Sequence, residues 1–151
     1  MIDISKYFSA LHVHDITALT KNDALVELWK LVADTPQVTY PDRFLAAVME
    51  REKVMSTGIG TGIAIPHAKT TAVSDFVIAV GRSRNGLDFE SLDGQPVNII
   101  VLMGSPERKR TEFLKIIAKI GEVFTQPGFK ERFIGAETCD DMYAMLVEKV
   151  G

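Results

Sequence analysis

Two short apolar runs set the strongest limit on what this chain can fold into: "FVIAVG" from Phe76 and "VNIIVLMG" from Val97. A strand that faces water on one side alternates apolar with polar residues. These runs are apolar at nearly every position, so they read as strands covered on both faces. A shorter run of β type, "GIAI" from Gly62, precedes them. Segments that could supply the covers lie on either side. Thr20, followed three residues later by Asp23 and then by "ALVELWKLVA", predicts a capped helix with Leu25, Leu28, Trp29 and Val32 on one face, ending near Thr35-Pro36. A second helix is expected from about Pro41 through "DRFLAAVMEREKV", burying Phe44, Leu45, Val48 and Met49, with Glu50, Arg51 and Glu52 in its last turn. Beyond the strands, "ERKRTEFLKIIAKIGEVF", a short segment after Pro127-Gly128, and Asp140 to Val150 read as three more helices. The expected architecture is an α/β sandwich of a single domain over residues 1–151, with helices on both faces of a mixed, mostly parallel central sheet.

Composition narrows the function classes. With 151 residues and 46% hydrophobic content, the chain can build one well-buried core but not two comfortable domains. The net charge of −3 is dispersed, so neither a basic footprint for nucleic acid nor an acidic tail is present, and no nucleic-acid partner is expected. The single cysteine, Cys139, excludes an internal disulfide. "MIDISKYFSA" mixes charge with apolar residues where a signal peptide needs an apolar stretch, and the longest apolar runs are about a third of a bilayer span. A cytoplasmic protein, not embedded in a membrane, is the expectation.

The stretch "STGIGTGIAIPHAKT", Ser56 to Thr70, concentrates three glycines and a proline in front of one histidine. It is not a phosphate-binding P-loop, because Ile63 and Ala68 stand where that motif needs glycine. The dinucleotide fingerprint fails too: with Gly58 and Gly60 as its first glycines, the third position falls on Ile63. Zinc lacks a ligand set, since no cysteine or acidic residue flanks His67 at ligand spacing, and His12 and His14 are remote in sequence. Those two histidines are expected on one face of a solvated edge strand. "GIAI" should be a short strand whose ladder Pro66 stops, holding His67 at a strand end, where α/β sheets bind ligands. Gly58, Gly60 and Gly62 can take positive φ and would form a low rim against a partner's backbone. From the residues alone two readings stand, a positioned acid-base or nucleophilic imidazole and a histidine that caps a turn.

The run "EREKVMSTGIGTGIAIPHAKT" resembles the active-site region of the enzyme IIA domains of the bacterial phosphoenolpyruvate-dependent sugar phosphotransferase system, in the fructose/mannitol and nitrogen-regulatory class. "GLDFESLDGQPVNIIVLMGSPE" and "ETCDDMYAML" are similar to later parts of the same domain, so the resemblance covers almost the whole chain. It implies that His67 is the nucleophile, accepting phosphate from the phosphocarrier HPr through Nε2, with Nδ1 held by a backbone carbonyl. It implies that Arg51, sixteen residues before His67, clamps phosphoryl oxygens, and that Glu50 and Glu52 are solvated or orienting groups. No cofactor or metal is expected, only covalent phosphate on His67.

Many members of that class carry a second histidine near the first, and Arg110 of "RTEFLKIIA" stands in its place. Arg110 is therefore a candidate phosphoryl-binding residue, aided by Arg108 and Lys109 at a helix start. The implied function is a phosphoryl carrier that passes phosphate to the cysteine of an enzyme IIB. The alternative is a stand-alone regulator whose protein contacts follow its phosphorylation state, with little onward transfer. A hydrolase using His67 as base ranks last, because no serine, cysteine or acidic partner lies at motif distance.

Overall fold

The computed structural model describes residues 3–150, apart from the side chain of Ile59. Two 3-10 turns, Ser5–Tyr7 and Ala10–His12, lead into strand β1 (Val13–Asp15). Helices α1 (Lys21–Val32) and α2 (Pro41–Val54) follow, then the short strands β2 (Gly58–Gly60), β3 (Ile63–Ala64) and β4 (His67–Lys69). The long strands β5 (Val77–Leu87) and β6 (Val97–Ser105) come next, and helices α3 (Arg110–Thr125), α4 (Phe129–Ile134) and α5 (Cys139–Val150) close the chain.

One sheet joins all six strands in the order β1-β5-β6-β3-β2, with β4 also on β6. β1 runs parallel to β5, and β3 and β4 run parallel to β6, while β5 with β6 and β2 with β3 are antiparallel. The expected mixed sheet with helices on both faces is therefore present, although its longest pairing, β5 with β6, is antiparallel.

Alternation along the two apolar strands divides the core. Ile78, Val80, Ile99, Val101 and Met103 point to the face covered by α3, α4 and α5. Val77, Ala79, Ile100 and Leu102 point to the face covered by α1 and α2, against Leu25, Leu28, Phe44 and Val48. A period of two along each strand places successive residues on opposite faces, so an unbroken apolar run feeds two cores at once. Each Val, Ile, Leu, Met or Phe side chain among them contributes roughly 1.5–3 kcal/mol when fully buried.

The helices start and stop for local reasons. The Thr20 hydroxyl accepts from the Asp23 amide at 3.2 Å and caps α1, while the Trp29 indole donates to the Pro41 carbonyl at 2.9 Å and ties α1 to the start of α2. Pro41 opens α2 where its missing N–H costs nothing. In that helix Phe44 and Val48 are buried as expected and Leu45 and Met49 are half-buried, but Glu52 in the last turn is buried as well, at 6% exposure.

Two expectations about placement are corrected. His12 closes a 3-10 turn, its Nδ1 accepting from the Ser9 amide, whereas His14 lies on β1 and meets Glu27 at 2.8 Å, so they share no strand face. Pro66 also does not end the pairing. Ile63 and Ala64 pair with Ile99 and Ile100, and His67 to Lys69 pair with Met103 to Ser105 in unchanged register. Lacking an N–H, Pro66 interrupts the ladder, yet its carbonyl still accepts from the Met103 amide at 2.9 Å. His67 therefore opens a resumed strand instead of following the end of one.

Candidate functional site

Three pieces of chain converge on His67: the last turn of α2, the Gly-rich segment, and the second turn of α3. The His67 Nδ1 lies 2.8 Å from the Ile65 carbonyl oxygen. A carbonyl only accepts, so the proton of the neutral ring sits on Nδ1, and Nε2 keeps its lone pair for a partner. The ring is partly buried, 5.2 Å from that of Phe113 and tilted 52° to it. Burial is the main cause that pushes the imidazole below its ordinary pKa of 6.5; the Ile65 hydrogen bond opposes it, the positive charges of Arg51 and Lys69 reinforce it, and Glu52 opposes it. At neutral pH the ring is therefore uncharged and nucleophilic.

The cations around the ring come from different elements. Arg51 leaves the last turn of α2 and donates from Nη1 to the Met55 carbonyl at 2.9 Å; among the described residues it has no carboxylate partner. Lys69 stands two residues beyond His67 on β4, hence on the same side of the strand, with its ammonium 5.0 Å above the Phe113 ring. Phe113 is thus the floor that both His67 and Lys69 rest against. Arg110, the first residue of α3, is exposed one turn before Phe113, and its side chain makes no hydrogen bond or ion pair among the described residues. Lys109 is held instead by Asp75, at 3.1 Å. Arg51 and Lys69 are the cations whose charge bears on the His67 ring, while Arg110 stands exposed at the start of the helix that carries Phe113.

Glu52 is the residue that sequence reasoning undervalued. Its carboxylate accepts from the Thr57 amide at 2.9 Å and hydroxyl at 2.8 Å, and it pairs with Lys21 of α1 at 3.0 Å. No local signal marks this: a glutamate between an arginine and a lysine reads as solvated until the fold places Lys21 beside it. Lys69 was missed for a related reason: it shares a face with His67 only because the strand resumes beyond Pro66.

The glycines have internal reasons for being glycine. A Cβ on Gly58 would lie 2.2 Å from the Ser91 hydroxyl, and Gly60 and Gly62 adopt φ of +88° and +81°. Gly58 and Gly62 are buried and Gly60 is partly exposed, so the connection between β5 and β6 covers most of the rim that was expected to be open. Among the described residues no three His, Cys, Asp or Glu side chains gather as a metal site, and no helix is long and apolar enough to cross a membrane.

Fold and site together define a small α/β domain that presents one imidazole, fixed at Nδ1, within the field of two cations. The family model for "Phosphoenolpyruvate-dependent sugar phosphotransferase system, EIIA 2" matches residues 8–149, and the chain belongs to that family. It is 35% identical over 132 residues to the fructose-specific EIIA component of Haloferax volcanii, covering 85% of this chain and 86% of that protein. It is 32% identical to the fructose-specific EIIABC component of Bacillus subtilis over 83% of this chain, which spans only 20% of that longer protein. Among solved structures, the nitrogen regulatory protein IIA-Ntr from Neisseria meningitidis superposes with a TM-score of 0.86 at 26% identity, covering 95% of this chain and 98% of that one. The IIA mannitol subunit of Escherichia coli, solved in complex with phosphorylated IIB mannitol, shares the fold with a TM-score of 0.79 at 17% identity over 93% of this chain and 97% of that one.

Proposed function

We propose that the chain is a phosphoryl carrier whose acceptor atom is Nε2 of His67. The observation that carries this reading is the bond from Nδ1–H to the Ile65 carbonyl, which leaves Nε2 as the nucleophilic nitrogen with Arg51 and Lys69 beside it. The donor in this reading is the phosphohistidine of an HPr-like protein. A new P–N bond forms at Nε2 of His67 while the P–N bond of the donor breaks and its imidazole takes back the electron pair. No proton is removed, so no general base is required, and the work is positioning and charge stabilisation. The open guanidinium donors of Arg51 meet the phosphoryl oxygens, and Lys69 supplies a second cation. Neither a metal nor a nucleotide enters this step, and the relay is placed in the cytoplasm with its donor.

The acceptor of the phosphoryl group is an enzyme IIB cysteine in this proposal, supported by the likeness to a IIA subunit solved with its IIB partner. A regulatory use is favoured by a different observation, the close superposition on a nitrogen regulatory protein. There the added dianion at His67 would reverse the charge of the cationic site and so change which protein docks. Labelled phosphoenolpyruvate tests the carrier reading. With enzyme I and HPr present the chain should take up one acid-labile phosphoryl group, and His67→Ala should take up none. Label that persists in the variant overturns the assignment, and adding an enzyme IIB then separates transfer from retention.

A further inference from the structure

We propose, building on this reading of His67, that the Lys21–Glu52 ion pair is a positioning device that keeps the imidazole in its reactive tautomer through hydrogen bonds linked by the backbone of Thr57 and Ile65. Lys21 meets Glu52 at 3.0 Å, and Glu52 accepts from both the amide and the hydroxyl of Thr57. The Thr57 carbonyl accepts from the Ile65 amide at 3.1 Å, and the Ile65 carbonyl accepts from His67 Nδ1 at 2.8 Å. The linkage starts on the first residue of α1, crosses the end of α2 and the entry to β2, and finishes on the ring.

Three features make this more than a staple between two helices. Both lone-pair contacts of Glu52 other than Lys21 go to Thr57, so the carboxylate fixes one peptide group of the Gly-rich segment and not the helix that carries it. Ile65 is held at both of its backbone polar atoms, and Pro66 after it confines it to extended backbone. The carbonyl that sets the tautomer therefore has little freedom to turn away. The charges are also confined: the Lys21 side chain is 11% exposed and that of Glu52 is 4% exposed, with Lys21 lying 4.8 Å over the Phe89 ring and 3.9 Å from Glu90. A buried carboxylate that lost its cation would turn toward water or other donors, and Thr57, which it holds, would shift with it.

Glu52 and Lys21 touch neither His67 nor a phosphoryl group, so both are positioning residues. The test reads the ring directly. Long-range proton–nitrogen NMR of His67 in the unphosphorylated full chain should show the Nδ1–H tautomer alone. In Lys21→Met and Glu52→Gln a mixture of both tautomers should appear, and Lys21→Arg should restore the single form. Phosphoryl uptake at saturating phospho-HPr should fall roughly tenfold in the first two variants, as expected when a catalytic imidazole loses its tautomer, with the KM for donor unchanged within about twofold. Folded Lys21→Met and Glu52→Gln proteins that keep a single Nδ1–H tautomer overturn the proposal. Should Glu52→Gln fail to fold, Thr57→Val removes one of the two Glu52 contacts and gives the same reading. Because the tautomer is read without any donor, a wild-type protein that accepts no phosphate would strike at the carrier reading alone.

Discussion

Arg82 and Arg51 show the same side chain in two opposite settings. Arg82 is wholly buried on β5, where Nε and Nη2 engage Asp15 of β1 at 2.7 and 2.9 Å and Nη1 donates to the carbonyls of Phe133, Ile134 and Ala136. It ties the sheet edge to the end of α4, and its donors are engaged. Arg51 is partly exposed, gives a hydrogen bond to the Met55 carbonyl and, among the described residues, forms no ion pair with a carboxylate. A guanidinium held bidentately by carboxylate is spent on structure, whereas one left with open donors next to a neutral imidazole is poised for an anion.

That contrast is broken most severely by Arg82→Met. It leaves Asp15 with only the more distant Arg84, at 3.9 Å, and takes a donor from three carbonyls, and should lower stability by about 3 kcal/mol, moderated because Asp15 is partly open to water. Urea unfolding measures this, while phosphoryl uptake well below the transition should stay near wild type; unaltered stability would refute the assignment of Arg82 to structure. Arg51→Gln should give the mirror image. Its stability should change by no more than about 0.5 kcal/mol, and uptake should slow roughly a hundredfold if the guanidinium stabilises charge in the transition state. Wild-type uptake rates in that variant would remove Arg51 from the site.

A smaller effect separates the two remaining cations. Lys69→Gln should slow uptake several-fold and raise the titration midpoint of His67, since the ammonium is among the causes that depress it. Arg110→Gln should do neither, and the reverse ranking would return Arg110 to the site. The smallest effect is on stability against pH. The folded protein resists protonating His67, whereas the unfolded chain protonates near 6.5, so the unfolded state binds more protons once pH falls to that value. Stability should therefore decline as pH drops through 6.5 toward the lower folded pKa, and His67→Asn should flatten that part of the curve; His12, depressed mainly by burial, adds a decline of the same sign that the variant retains.

How much of this was legible in the sequence follows from the range of each interaction. The strands β5 and β6 were visible because their burial on both faces is written into consecutive residues, and α1 because Thr20 and the spacing of Leu25, Leu28 and Val32 are local. β4 was not, since it exists only through pairing with β6 beyond a proline that by itself argues against a continued strand. The candidate site was legible in part. Pro66 and the glycines marked His67 as a placed residue, and the family resemblance supplied its role and that of Arg51. The burial of Glu52 depends on Lys21, and the partners of Arg82 are Asp15 and the end of α4, all distant along the chain, so no window of sequence contains either arrangement.

The central claim is that Nδ1 of His67 is occupied by the Ile65 carbonyl and Nε2 is the atom that carries phosphate. Nitrogen-15 NMR of the chain phosphorylated by phospho-HPr tests it most directly, because the coupling to phosphorus identifies the bonded nitrogen. The expected result is a single phosphorus coupling at Nε2 of His67 with the proton retained on Nδ1. Phosphorus bonded to Nδ1, or to a residue other than His67, would contradict the account.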